Sequence, residues 1–317
     1  VTSYRIAVVD IGSNSLKFSI ADVNPDGSET IIQADAQTVR LAAGIASSGM
    51  IQPERARHAV EAMQFYDQIA KALRSDAQLS VATAALRMAS NGQHLIEQIE
   101  ATTNWRIQVI SGEEEAVLAF SGLVSEMPET GSALLLDIGG GSTEAIHIVN
   151  RRLEVSESNK IGSGTLADAS FTSDPPGLPE VLVAKGRAQE VLSGSPVIAA
   201  STGSRLVLSG GNGQFLEGFA LWDRVAIPFE PKHFDAIMAA LADVPSVDVA
   251  GFLGIAPERA RMLPAGAAIA SAVMDMVGPI SLQAVPSGIR SGLIARWLAE
   301  HAKQTGSGTP STIGDGG

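Results

Sequence analysis

The chain has no cysteine in 317 residues. Disulfides, thiolate metal sites and cysteine nucleophiles are excluded. Aromatic residues make up only 4%, which argues against a protein that stacks unpaired bases on a row of rings. Cations are also scarce: 22 Lys and Arg stand against 34 Asp and Glu, for a formal net charge of −12. A basic surface tracking nucleic acid is not expected from that balance. An anionic small ligand remains possible, because a phosphate site can be built from N–H groups, helix N-termini, a metal ion and a few arginines. No uninterrupted apolar run reaches the roughly 18 residues of a membrane span. The opening VTSYRIAVVD is not a signal peptide. A cytoplasmic protein with no nucleic-acid or membrane partner is the expectation. The GxxxxGK[ST] phosphate loop and the GxSxG elbow are missing. The five histidines (His58, His94, His147, His233 and His301) have no ligand spacing, and none precedes an Asp.

Hydrophobic residues at 45% and charged residues at 18% predict an ordered chain with a sizeable core, and the length suggests about two domains. Within it one phrase is written twice. Residues 6–15 read IAVVDIGSNS and residues 133–142 read ALLLDIGGGS, placing Asp10 and Asp137 127 positions apart. A buried strand that ends in Asp-x-Gly and turns through small residues brings backbone N–H groups and a carboxylate up to phosphate and metal. One copy has the weight of an ordinary tight turn. Two copies in the same register predict two lobes gripping a phosphorylated ligand.

The surrounding pattern repeats too. Strands are expected at 5–9, 16–23 and 30–41, then again at 133–137, 143–149 and 152–160, so each half opens with three strands. Helical periodicity runs from Pro53 to about Arg74, with Ala56, Val60, Met63, Ile69 and Leu73 on one face. Further helices are expected at 91–103, 111–124, 179–193, 232–243, 257–263, 264–277 and 288–303. Short strands are expected at 80–84, 107–110, 197–200 and 281–285, and a loop at 209–214. The tail 304–317, QTGSGTPSTIGDGG counted from Gln304, has a linker composition and is expected to be disordered.

Several side chains stand out. Ser111 suits an N-cap, and Glu113, Glu114 and Glu115 suit the positive end of a helix dipole. Three carboxylates exceed what a cap needs, and one of them facing a cleft could serve as a general base. Glu144, just past the second turn, is either an exposed strand residue or a group that orients water or metal. Arg87, after a short strand, is either a surface residue or a phosphate clamp. Gly139, Gly140 and Gly141 in succession disfavour regular structure and fit a close backbone approach to a ligand.

DIGSNS at 10–15, TAALRMA at 83–89, SGEEEA at 111–116 and DIGGGSTE at 137–144 together resemble the exopolyphosphatase / guanosine pentaphosphate phosphohydrolase family. The resemblance is strong over residues 4–176 and ends in GIRSGL at 288–293. It implies an α/β fold of two actin-like (ribonuclease H-like) lobes with a duplicated βββαβαβα plan and an active-site cleft between them. The first lobe is expected at 1–126 plus about 288–303, the second at 127–287. The implied activity is Mg²⁺-dependent release of terminal orthophosphate from inorganic polyphosphate. Alternatives are 5′-phosphohydrolysis of guanosine pentaphosphate, or a polyphosphate-binding protein with weakened turnover. Carried over, Glu115 and Glu144 are catalytic. Gly12, Ser13, Asn14, Ser15, Arg87, Gly139, Gly140, Gly141, Ser142 and Thr143 bind phosphate, and Asp137, Asp10 and Glu144 hold the metal. A homodimer is also implied. One departure bears on the site. The family's Gly-Gly-Thr and the Arg near it match Ser209-Gly210-Gly211-Asn212-Gly213-Gln214 here, which has neither Thr nor Arg.

Overall fold

The structure, a computed structural model, describes residues 3–286 and 288–305. Two five-stranded sheets share one topology. The first contains β1 (Tyr4–Ile11), β2 (Ser15–Val23), β3 (Glu29–Thr38), β4 (Ala77–Ala82) and β5 (Gln108–Val109) in the order β3-β2-β1-β4-β5. The second contains β6 (Ser132–Ile138), β7 (Thr143–Val149), β8 (Arg152–Asn159), β9 (Arg205–Ser209) and β10 (Leu282–Val285) in the order β8-β7-β6-β9-β10. In each, the first three strands form an antiparallel meander and the last two add in parallel. Helices make the parallel crossovers, as that connection requires. These are the two actin-like lobes with a repeated βββαβαβα plan.

Strand alternation divides the core. Ala7, Val9 and Ile11 of β1 pack outward on the Pro53–Ala72 and Gly92–Thr102 helices, while Ile6 and Val8 point inward. In β6, Leu134, Leu136 and Ile138 face outward, and Ala133 and Leu135 face inward. The inward faces of both sheets meet the Gly112–Leu123 and Ile289–Thr305 helices, which form a central layer between them. These two helices cross at backbone contact. A Cβ on Gly122 would run into the carbonyl of Gly288, and one on Gly292 into that of Leu118. The Ile289–Thr305 helix also donates from Arg290 Nη1 to the Phe18 carbonyl at 2.9 Å.

Three local expectations are corrected. Residues 197–200 are not a strand: they lie in the Pro196–Ala200 helix, where Ser195 Oγ accepts from the Ile198 N–H at 3.2 Å and Pro196 occupies the first turn. A four-residue apolar run does not distinguish strand from helix. The true strand is β9, and the expected loop at 209–214 is mostly the start of the Gly210–Ala220 helix. Its glycines lower helix propensity, but Gly213 is needed where the helix meets the Leu208 carbonyl. The Pro53–Ala72 helix is rotated from expectation, burying Ala59, Ala62, Met63, Tyr66, Asp67 and Ala70. Ala56, Val60, Ile69 and Leu73 pack only partly against the core.

The stretch Pro257–Val277 is long and apolar enough to cross a membrane by composition, yet 83% of its qualifying 18-residue window is buried inside the fold, so its apolarity serves the core. The last helix runs to Thr305, two residues past the expected end. The remainder of the expected disordered tail, 306–317, lies outside the described residues.

Candidate active site

β1 and β6 each run into a turn closed by the same hydrogen bond. The Gly12 N–H donates to the Ser15 carbonyl at 3.1 Å, and the Gly139 N–H donates to the Ser142 carbonyl at 2.9 Å. Each turn then leads into the antiparallel partner strand, which puts Asp10 opposite Lys17 and Asp137 opposite Glu144. The repeat thus places a lysine on one side of the cleft and a glutamate on the other. Lys17 Nζ lies 3.6 Å from Asp10 Oδ2.

The two turns touch. A Cβ on Gly140 would sit 2.8 Å from Asn14 Cβ, and one on Gly141 would sit 2.6 Å from Ser13 Oγ. The triple glycine therefore serves a close approach between loops as well as an opening toward a ligand. Among the described residues, the N–H groups of Ser13, Asn14, Gly140 and Gly141 donate to no backbone carbonyl, so they remain available to an anion. The second turn is anchored from behind by the Ser163 N–H on Gly139 (2.8 Å) and the Gly164 and Thr165 N–H groups on Gly140 (3.0 Å each).

The glutamate cluster divides its tasks within one turn of helix. Glu114 completes a capping box with Ser111, accepting from its N–H at 2.8 Å while Ser111 Oγ accepts from the Glu114 N–H at 3.1 Å. Glu115, about 100° further round the helix, is buried and lines the cleft. Glu144 is only 2% exposed and accepts from Ser158 Oγ at 2.8 Å. Burial pushes the Glu115 carboxyl well above the ordinary range, and the charges of Glu144, Asp10 and Asp137 add to this against the pull of Arg87. Burial, then Asp137, raises Glu144 to about 7, with Ser158 acting in the opposite direction. Burial also raises Asp137, which Lys17 partly offsets. Carboxyls raised by burial and by one another in a cleft mark a candidate functional site.

Two of the residues expected to bind phosphate have protein partners. Arg87 is not in the cleft wall: its Nη1 donates to the Ile110 carbonyl at 2.6 Å and lies 3.7 Å from Glu115 Oε2. It supports Glu115 from behind. Thr143 is fully buried, and its Oγ1 is committed to the Ile161 carbonyl at 2.6 Å. Gly12, Ser13, Asn14, Ser15, Gly139, Gly140, Gly141 and Ser142 all line the cleft, with Asp10, Asp137, Glu115 and Glu144.

Buried without a hydrogen-bond partner are Asp10 Oδ1, Glu115 Oε2 and Asp137 Oδ2. An all-oxygen set with free lone pairs suits a hard divalent cation. Among the described residues no three acidic or histidine side chains are spaced to enclose a metal by themselves. The fit is therefore to an ion that takes one or two carboxylates and completes its shell with water and phosphate oxygens, as Mg²⁺ does.

Other wall residues escaped the sequence reading. Thr83, Ser163, Phe215 and Arg259 all line the cleft, together with Asn212 of the 209–214 stretch. Asn212 Nδ2 donates to the Ile138 carbonyl at 2.5 Å, tying the Gly210–Ala220 helix to the end of β6. The Arg259 guanidinium lies 4.6 Å from the centre of the Phe215 ring, and burial lowers its proton affinity. Arg259 stands in an Ala-rich helical stretch with no local signal, and only the fold brings it to the turns.

The Ppx/GppA phosphatase family model matches residues 18–301. The chain belongs to the Ppx/GppA phosphatase family. Among its relatives, exopolyphosphatase 1 of Mycobacterium tuberculosis is 28% identical over 314 residues, covering 95% of this chain and 90% of that protein. A guanosine-5′-triphosphate,3′-diphosphate pyrophosphatase of Aeromonas hydrophila is 26% identical over 302 residues, covering 91% of this chain but 58% of that one. A crystal structure of an exopolyphosphatase from Cytophaga hutchinsonii superposes with a TM-score of 0.84 at 24% identity, covering 93% of this chain and 98% of that one. The Ppx/GppA fold is thus present over nearly the whole chain, with the repeated turns at its centre.

Proposed function

We propose that this Ppx/GppA protein is a Mg²⁺-dependent exopolyphosphatase that hydrolyses the terminal phosphoanhydride of inorganic polyphosphate. The observation that carries the proposal is the convergence, in one cleft, of two N–H-lined turns and the buried Glu115 and Glu144. In the reaction a water oxygen bonds to the terminal phosphorus and the bond from that phosphorus to the bridging oxygen breaks. Orthophosphate leaves, and the bridging oxygen becomes the new end of the shortened chain. Glu115 takes the proton from the water, and burial beside other carboxylates raises its proton affinity, which strengthens it as a base. Glu144, held by Ser158, orients that water. Ser13, Asn14, Gly140 and Gly141 offer N–H groups to the phosphate oxygens. One or two of Asp10, Asp137 and Glu144 would hold the cation, with water and phosphate oxygens completing its shell, and when bound it would offset phosphate charge. Arg87 acts through Glu115, to which its charge lends stability in the ionised form.

The kinship with M. tuberculosis exopolyphosphatase 1 supports polyphosphate as substrate. So does a second groove of about 1170 Å³ that continues from the cleft, sharing Lys17, Phe215 and Arg259 and adding Arg290 and Asp35. Three cations along one path suit a polyanion extending beyond a single anhydride. The same reading includes a cytoplasmic homodimer, whose mass light scattering would read. The relation to the A. hydrophila enzyme keeps guanosine pentaphosphate as a second candidate. The test is phosphate release from both substrates by the wild type and by Glu115→Ala. The larger kcat/KM names the substrate, and equal release by both proteins would sink the assignment.

A further inference from the structure

One ion pair crosses the cleft outside the machinery described above. Arg40 Nη2 donates to Asp168 Oδ1 at 2.6 Å, joining residues 128 positions apart. Both ends are wired to the turns. The Val39 and Arg40 N–H groups donate to the Asn14 carbonyl at 3.0 and 2.7 Å, and the Ala42 N–H donates to the Ser13 carbonyl at 2.9 Å. Arg40 itself holds a left-handed backbone, φ 56°, which a non-glycine residue rarely adopts. Asp168 lies on the Ser163–Ser170 helix, whose first N–H groups anchor Gly139 and Gly140. The pair therefore links the two supports of the Asn14–Gly140 contact, the narrowest point between the turns. Beside that contact lies a narrow gap whose lining includes Arg40, Asp168, Asn14 and Gly140. In the other direction the cleft opens into the larger groove past Lys17 and Arg259.

The cleft is thus wide on the Lys17/Arg259 side and narrow on the Arg40/Asp168 side. We propose that the Arg40–Asp168 pair is an end-stop: by holding the Asn14–Gly140 contact shut, it lets a phosphate chain enter only by a bare terminus from the Lys17/Arg259 side. This rests on the polyphosphate reading and deepens it, by assigning end-selectivity to residues that touch neither the reacting phosphorus nor the acids. An internal phosphate, or a terminal one carrying a substituent, would need room where the stop stands.

The test uses the full chain with Mg²⁺ and sodium polyphosphate, either bare or with both ends capped as ethanolamine phosphoramidates. Chain shortening is followed on gels. The quantity read is the rate on capped chains divided by the rate on bare chains. An ion pair of this exposure shifts an opening equilibrium by at most about fivefold. Arg40→Ala/Asp168→Ala is expected to raise the ratio by up to about fivefold. The charge-swapped Arg40→Asp/Asp168→Arg, in which Asp tolerates the left-handed backbone, is expected to return it toward the wild-type value. An unchanged ratio in the double-alanine variant, or an equal rise in the swap, overturns the stop while leaving the hydrolase intact. Loss of bare-chain turnover in both variants with unchanged melting temperatures also overturns it, because the residues would then serve the chemistry directly. A wild type inactive on bare chains fails the polyphosphate reading itself, and the stop falls with it.

Discussion

Replacing Glu144 with Gln should make the metal-free protein more stable, and only above a particular pH. The side chain is 2% exposed, and its proton affinity rises from the ordinary 4.5 to about 7. At about 1.4 kcal/mol per tenfold change in proton affinity, ionising it inside the fold costs roughly 3 kcal/mol. The sign follows from proton counting. Below pH 4.5 the carboxyl is protonated in both folded and unfolded chains, and the penalty is absent. Between 4.5 and about 7 the folded chain keeps a proton that the unfolded chain has lost, so stability falls as pH rises. Above about 7 the full penalty stands. Gln cannot ionise, resembles the protonated acid, and can still accept from Ser158. Its removal of charge also relieves Glu115, whose carboxyl Glu144 pushes up. Melting curves in chelator should therefore coincide near pH 4.5 and separate by pH 8, with the variant higher by on the order of 5–10 °C. Adding Mg²⁺ at pH 8 should stabilise the wild type more than the variant. A difference independent of pH, or a variant that melts lower at pH 8, would refute the account of Glu144 as a strained buried acid.

Glu115→Gln should lower kcat by about 10²–10⁴ with little change in KM, since a general base is removed while the phosphate turns stay intact. Steady-state phosphate release separates the two constants. Gly292→Ala should destabilise the fold by about 1–3 kcal/mol, because the new Cβ meets the Leu118 carbonyl where two backbones touch. Urea denaturation measures this, and an unchanged midpoint would show that the central helices can part. Gly140→Ala should reduce turnover by wedging the turns apart at Asn14, where the added Cβ has 2.8 Å. Its activity loss should exceed any loss of melting temperature. Lys17→Ala should raise KM for polyphosphate more than it lowers kcat. The wild-type KM should climb with salt more steeply than that of the variant, as for a cation facing a polyanion.

The duplicated plan was legible because its carriers are local. Apolar runs ending in Asp-Ile-Gly mark β1 and β6, and the hydrophobic alternation that follows marks their partner strands. The capping box at Ser111 and Glu114 was legible for the same reason, since both groups lie within one helical turn. Which of the three glutamates turns inward was not local information. Glu115 is selected by how the Gly112–Leu123 helix sits between the sheets. The partners of Arg87 and Thr143 were not legible, because a side chain's partner depends on neighbours distant in sequence, here Ile110 and Ile161. The Pro196–Ala200 segment was misread because five residues are too few for periodicity to choose between strand and helix.

Composition and local pattern alone determined a cysteine-free, two-lobed α/β chain with a repeated Asp-Ile-Gly turn and an acid beside the second copy. Each of these follows from backbone preferences and side-chain period over a few residues. Only the tertiary structure decided that the two turns touch, that Arg259 and Asn212 join them, and that Arg40 meets Asp168. Those contacts join segments far apart in sequence, 128 positions for Arg40 and Asp168, and they exist because the central helices draw the two sheets together at glycine-to-backbone distance.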